Sequence, residues 1–403
     1  MLARFSLYGF LKNQRYFEPF LYLVFLEYGL SFLQIGLLVG FREICVSVFE
    51  VPSGVLADTL GRRKLMIGSF LAYIAGFTVL AISAAMPALY LAMLLLAWGD
   101  ASRSGTHKAL IFEWLRHEGR QAEKVKVYGY TRSWSKLGSA LSVVLAAIFV
   151  CLADSYNHIF WYSIPPYVLG IVNFLAYPKY LDGTAEGKAR QSLIAHFRVA
   201  ISTCWQRVPL RKLCLESMSF EGSYKAMKDY LQPLLAATAL TALSAAQLSD
   251  TQRTAIAVGV VYMLLHLLSS WASRRAHRVN AWRGGEEPAA RFIWWASVGI
   301  FAVLAAACWW QLHALIIAVF VALAMLQNIW RPVLMARFDA HTDSANSATI
   351  LSVESQCKST GAFLLAPLFG YCVDQQGFWT LGAVAGTLAL ATVMSIHPKT
   401  PAS

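Results

Sequence analysis

The chain has 403 residues, of which 57% are hydrophobic and only 14% charged, whereas a soluble domain carries roughly a quarter charged residues. Apolar runs recur along the whole length, including 65–96, broken only by Pro87, and 292–325; no soluble core could hide them all, so a soluble enzyme or binding domain is excluded and lipid is the expected solvent. The formal charge of +12 does not mark a nucleic-acid binder, because the basic residues fall in short segments between apolar spans instead of forming one stripe.

A helix crossing the hydrocarbon needs about 20 residues. Cutting at polar, proline and glycine punctuation predicts twelve spans, near 7–30, 36–57, 65–85, 89–112, 127–151, 159–177, 211–238, 254–273, 291–310, 313–336, 348–371 and 378–396. The longest polar interval separates six spans from six, as expected of two related halves: an N-terminal six-helix bundle over 1–177, a cytoplasmic linker over 178–210 and a C-terminal six-helix bundle over 211–403. The first eleven residues lack the pattern of a cleaved leader, so the first helix is expected to remain in the mature protein. The seven cysteines contain no C-x-x-C pair and read as buried thiols, with no metal site and no cofactor expected.

Lysine and arginine set the expected orientation. One set of loops holds Arg62, Arg63 and Lys64, then Arg116, Arg120, Lys124 and Lys126, then the basic residues of 178–212, then Arg274, Arg275, Arg278 and Arg283; the alternate loops hold almost none. Both termini are therefore expected in the cytoplasm, in a multi-pass protein of the cytoplasmic (inner) membrane. No G-x-x-x-x-G-K-[ST], H-E-x-x-H or G-x-S-x-G pattern occurs, so ATP-driven transport and the common hydrolase chemistries have no support, and no enzyme activity is expected.

The second span ends in Gly54-Val55-Leu56-Ala57-Asp58-Thr59-Leu60-Gly61-Arg62-Arg63-Lys64. This resembles the G-x-L-a-D-x-x-G-R-[KR]-[KR] signature of the major facilitator superfamily (MFS) of transporters, in the loop between helices two and three where that signature belongs. The physics agrees, since Gly54 permits close approach of a helix, Gly61 a tight turn, and the basic cluster faces the cytoplasm. The resemblance implies an all-α integral membrane fold of twelve helices, and a latch at Asp58 that holds the halves in the outward-facing state, within a gating motif of Gly54, Asp58, Gly61, Arg62, Arg63 and Lys64. The corresponding segment of the second half, 273–278, reads as a worn copy of this loop that keeps the arginines and lacks the aspartate. The G-P-x-x-G-G pattern common on helix five of drug antiporters is missing; that helix reads Lys136-Leu137-Gly138-Ser139-Ala140-Leu141.

Ionisable residues inside a membrane are costly and face a cavity or a partner. Arg15 and Glu18 are three apart; Asp100, Arg103 and His107 stand at i, i+3 and i+7; Arg132 and Lys136 are one turn apart, as are Glu221 and Lys225, with Lys228 on the same stripe, and Glu354 and Lys358. Because helices one, four and seven of the superfamily line its central cavity, with five and eleven beside them, the resemblance implies that these residues line a substrate cavity. Arg42 is the expected partner of Glu43 and Glu50, and Tyr16, Phe17, Trp98, Trp134, Tyr224 and Trp330 are candidate walls or cation-π contacts. Sixteen in-span charges counted this way balance in sign, which favours a polar or zwitterionic organic substrate.

The expected function is a secondary active transporter moving such a molecule by alternating access, driven by protons carried on Glu221, Asp100, Glu18 or Glu354. A multidrug or metabolite efflux pump of the same fold and a passive facilitator are the alternatives; a non-transporting sensor would not need so many buried charges of both signs. The expected partners are the lipid bilayer, a small-molecule substrate and protons, with no nucleic acid, and the expected state is a monomer.

Overall fold

In a computed structural model of the chain, the described residues are 1–103, 106–182, 202, 204–242, 247–341 and 347–396, and among them the secondary structure is helical with no strand. The helices are α1 (Leu2–Leu11), α2 (Leu21–Glu27), α3 (Phe32–Leu60), α4 (Arg62–Ile82), α5 (Met86–Arg103), α6 (Thr106–His117), α7 (Lys124–Ala153) and α8 (Ile159–Leu175). They continue with α9 (Val208–Glu216), α10 (Gly222–Met227), α11 (Leu231–Ala242), α12 (Asp250–Arg283), α13 (Glu286–Trp309), α14 (His313–Ala340), α15 (Ser347–Gln376) and α16 (Trp379–Ile396). Helix occupies each of the twelve predicted spans, with α1 and α2 sharing the first, α5 and α6 the fourth, and α9 to α11 the seventh. Six segments of the described chain are long and apolar enough by themselves to cross a membrane. Many large apolar side chains, among them Leu152, Ile82, Leu137 and Met394, are exposed, which a lipid solvent requires and water would not tolerate.

Three expectations about the spans change. The first is not one helix. α1 stops after Leu11, and the chain resumes at Glu18–Phe20 as a single tight turn with Pro19 near its start, before α2. Pro19 has no amide to bond back to the Arg15 carbonyl, so a regular α-helix does not run through this point. The seventh span is also interrupted, by a wide π turn at Ser217–Glu221 and a tight turn at Lys228–Tyr230. In the eighth, the helix runs on to Arg283, so the basic segment 273–278, expected as a loop, is helical. The turn falls instead at Gly284 and Gly285, whose φ values of 77° and 137° suit glycine.

The contacts divide the chain into two units. One contains Met1–Tyr28, Phe41–Ser192 and Ala242–Met263; the other Gly29–Gly40, Leu193–Thr241 and Leu264–Ser403. Relative to the expected halves, the starts of α3 and α12 are exchanged.

Within each unit a glycine pair brings two helices close. In the first unit α1 crosses α7, where a Cβ on Gly138 would stand 2.6 Å from the Phe10 carbonyl and one on Gly9 2.9 Å from that of Thr131. In the second unit α10 and the π turn before it cross α15, where a Cβ on Gly361 would stand 2.3 Å from the Met218 carbonyl and one on Gly222 2.8 Å from the Gly361 Cα. Lipid tails are as apolar as leucine, so such backbone approach, not water exclusion, is what packs helices here. Aromatic clusters complete the cores: Tyr8, Phe70, Tyr167 and Phe174 in the first unit, and Phe220, Trp294 and Trp330 in the second.

Candidate functional site

The buried charges of the first unit converge on Asp100, near the end of α5. Gly99 beside it has no side chain, which lets the Tyr73 ring of α4 lie against the backbone and donate its hydroxyl proton to the Asp100 carboxylate. Arg15, from the stretch between α1 and α2, donates to Asp100 at 2.9 Å, and Arg42 of α3 at 2.5 Å. Arg103, one turn further along α5, donates at 3.3 Å while its guanidinium lies 4.7 Å from the Tyr73 ring centroid. Three guanidiniums from three segments are thus tied to one carboxylate. Arg42 was expected to pair with Glu43 and Glu50; the packing of α3 on α5 also gives it Asp100, 58 positions away in sequence.

Beside this cluster lies a cavity of about 640 Å³. The close crossing at Gly9 and Gly138 sets its walls, placing Tyr8, Lys12 and Asn13 opposite Thr131, Arg132, Ser135 and Lys136 of α7. Asp100, Arg103, His107 and Lys108 form the remaining side. His107 stacks on Tyr8 with ring centroids 3.9 Å apart, and Lys12 Nζ lies 5.4 Å from the Tyr8 ring centre.

Of the residues expected around a cavity in this unit, Asp100, Arg103, His107, Arg132 and Lys136 line it. Arg15 and Glu18 do not. Arg15 is spent on Asp100 and on Glu18, 3.5 Å away, and the Glu18 side chain is 49% exposed. Lys12, Asn13, Lys108, Tyr128 and Ser135 are lining residues the sequence reading passed over. The signal for Lys12 was present, as it lies four residues after Tyr8 and three before Arg15.

In the second unit Glu354 of α15 is 1% exposed and bound through both oxygens to Arg331 of α14, at 2.5 and 2.9 Å, with the Ser217 hydroxyl donating at 2.7 Å. The i, i+4 spacing predicted Lys358 in that role; the neighbouring helix supplies the cation instead. Glu221, which ends the π turn, is 4% exposed and accepts from the Gln327 side-chain amide at 3.2 Å. Among the described residues no lysine or arginine forms an ion pair with it, although Arg331 and Lys358 are near enough to act on it electrostatically. Lys225 lies on α10, one turn beyond Glu221.

A third cluster was missed altogether. Glu216 takes Arg337 through both oxygens, at 2.6 and 2.9 Å, and the Trp294 ring N–H at 2.9 Å, while Arg337 also holds Glu287 at 2.8 Å. Arg337 fell one residue beyond the predicted tenth span and was counted with no span. Adding the other charges within the predicted spans, Lys12, Lys108, Arg211, Lys212, Arg291 and Arg331 against Glu216, tips the in-span charge to positive, so the sign balance read from the sequence does not hold.

The signature loop behaves partly as expected. Gly61 takes φ 98° between α3 and α4, and Asp182 anchors the turn by accepting the Arg63 backbone N–H at 2.9 Å and facing its guanidinium at 3.6 Å. Arg62 lies 3.8 Å from Glu113, and Lys64 is exposed. The close helix approach expected at Gly54 is absent among the described residues, where an added Cβ would meet nothing within 4 Å. The Asp58 side chain lies outside the described residues.

Comparison with known proteins agrees with this architecture. The sequence profile of the Major Facilitator Superfamily matches residues 5–364. The chain is 29% identical over 144 residues to an uncharacterized transporter of Buchnera aphidicola subsp. Schizaphis graminum, a match covering 35% of this chain and 34% of that relative's length. Among solved structures, the fold is similar to a mutant of the nucleoside transporter NupG, with a TM-score of 0.81 at 12% identity and 98% of each chain covered. It is also similar to a D-xylose-proton symporter, with a TM-score of 0.71 at 11% identity over 99% of this chain and 97% of that one. A POT family transporter in complex with 5-aminolevulinic acid gives a TM-score of 0.71 at 12% identity over 98% and 95%. With helix in every predicted span, the signature loop in place and a profile match across most of the length, the chain belongs to the Major Facilitator Superfamily and is a multi-pass membrane transporter of that type.

Proposed function

We propose that the protein is a secondary active transporter of the cytoplasmic membrane, monomeric and with both termini cytoplasmic, that moves a small polar organic molecule by alternating access and couples that movement to protons. The observation that carries the coupling is the contrast among the buried carboxylates. Protonating Asp100 would break its pairs with Arg15, Arg42 and Arg103, and protonating Glu354 its two-point pair with Arg331, at a cost of several kcal/mol. A proton on Glu221 breaks no ion pair and leaves the Gln327 amide bonded. Glu18 is half in solvent and is poorly isolated from the bulk. Of the four candidate carriers, Glu221 therefore leads, and its place at a π turn, where backbone hydrogen bonding is already irregular, suits a residue that changes partners. The gating motif completes the cycle, with Asp58 as the latch and Gly61 as the hinge of the turn.

Proteoliposomes carrying an internal pH dye test this when challenged in turn with sugars, nucleosides, amino acids, short peptides and organic acids. The wild type should move protons with at least one class. Glu221→Gln should abolish that proton flux while preserving counterflow of the same radiolabelled compound, since exchange need not cycle the proton. Counterflow without proton movement in the wild type, or coupling that survives the substitution, would leave a passive facilitator or another carrier as the better account.

A further inference from the structure

The cavity of the first unit carries more positive charge than the fold uses. Its lining includes the five cations Lys12, Arg103, Lys108, Arg132 and Lys136 against the single carboxylate Asp100. That carboxylate is already committed to Arg15, Arg42 and Arg103, and among the described residues no carboxylate pairs with Lys12, Arg132 or Lys136. Clustered cations repel, so holding them around a water-filled space costs free energy unless an anion arrives.

Arg103 turns this excess into a site. Its side chain is only 10% exposed, yet Nε and Nη1 have no hydrogen-bond partner, the Asp100 contact being made through Nη2. The Nε2 atom of His107, at the start of α6 and in the same lining, is also without a partner. Buried polar atoms are bonded in nearly all proteins, and those left over call for an explanation. Nε–H and Nη1–H leave the guanidinium on different edges, and Nη2, which either would need for a two-point contact, is on Asp100, so a ligand oxyanion takes up one of these donors at a time once the side chains that close them off move aside.

We infer, building on the transporter reading above, that the cargo is an organic anion. Its carboxylate or phosphate is gripped by Arg103 with Lys12, Arg132 and Lys136 around it, and its body lies along Tyr8 and is bonded by Asn13, Thr131 and Ser135. The volume fits this class. Small-molecule sites span roughly 300–1,000 Å³, and a cavity of about 640 Å³ would leave a bare inorganic ion mostly surrounded by water.

The experiment measures ligand-induced thermal stabilisation and equilibrium binding of the purified transporter in phosphatidylcholine nanodiscs. The probes are gluconate, glucose 6-phosphate, inorganic phosphate, glucose and glucosamine, so that one sugar frame appears as an acid, a phosphate ester, a neutral molecule and a cation. The acid or the ester should bind, more weakly as ionic strength rises, and should outbind glucose, glucosamine and inorganic phosphate. Arg103→Gln should weaken it by roughly tenfold or more. Because Arg103 also braces Asp100, Arg132→Gln is the second variant; its position is exposed and carries no ion pair among the described residues, so it should fold normally and weaken the same probe by several-fold. Equal binding of glucose, preference for glucosamine, or binding unchanged in both variants would overturn the inference. So would a lipid source for the anion, seen as stabilisation by added phosphatidylglycerol that is lost in Arg132→Gln while the soluble anions do nothing. These outcomes are separable from the coupling test: anions that bind but fail to move protons refute the proton reading alone, whereas proton flux evoked only by neutral or cationic solutes refutes the anion reading alone.

Discussion

The two units treat their buried carboxylates in opposite ways. In the first, Asp100 gathers three arginines and a tyrosine hydroxyl, and the cations left over face a cavity. In the second, Glu354 and Glu216 each take an arginine through both oxygens, whereas Glu221 is held by the Gln327 amide and forms no ion pair among the described residues. Equal numbers of buried acids and bases along a chain therefore say little about function. What matters is which charges satisfy one another: a carboxylate tied to several guanidiniums is a strut, whereas a buried carboxylate with only an amide, or a buried guanidinium with donors to spare, is available to a proton or a ligand.

The largest expected break in this comparison is Asp100→Asn. It removes the charge that three guanidiniums share, and stranding buried charges costs about 3–5 kcal/mol, so the unfolding temperature of the detergent-purified protein should fall sharply. An unchanged midpoint would show that the arginines are satisfied elsewhere and that Asp100 is no strut.

The next effect sharpens the comparison by testing what the units have in common. Gly138 and Gly361 both sit at helix crossings where an added methyl group would collide with backbone carbonyls, so Gly138→Ala and Gly361→Ala should each cost about 1–3 kcal/mol. Gly54→Ala, facing open space, should be close to neutral in the same thermal assay. A large loss at Gly54 with none at the crossings would mean that the helix packing described here is wrong.

A small effect also belongs to Glu221→Gln. Replacing a carboxylate that has no ion pair with an isosteric amide should change stability by about 1 kcal/mol or less, even though the same variant is expected to lose proton coupling. A fall as deep as that of Asp100→Asn would erase the distinction between strut and carrier.

The sequence readily disclosed features that depend on local pattern. Apolar runs of the right length predicted a helix for every span because a bilayer demands that backbone amides and carbonyls be satisfied within the segment. Close spacing in the sequence anticipated that Asp100, Arg103 and His107 would line one cavity, and Gly61 announced its turn. Features that depend on neighbouring helices were not legible. Lys358 is four residues from Glu354 along α15, yet Arg331 on another helix reaches it first. Arg42 is flanked by Glu43, yet it also reaches Asp100, on α5. Arg337 was lost to a boundary drawn one residue too early.

The membrane class, the helical content and the family signature were thus determined by the sequence itself, since they follow from periodicity and from the length of chain that hydrocarbon requires. Which arginine satisfies which carboxylate, and therefore which charges remain for a proton or a substrate, was decided only by the tertiary structure. The reason is physical. A helix constrains its own residues at three- and four-residue spacing, but the rotation and depth of one helix against another are set by small-residue crossings such as Gly9 with Gly138 and Gly222 with Gly361, and these bring together positions that no local pattern relates.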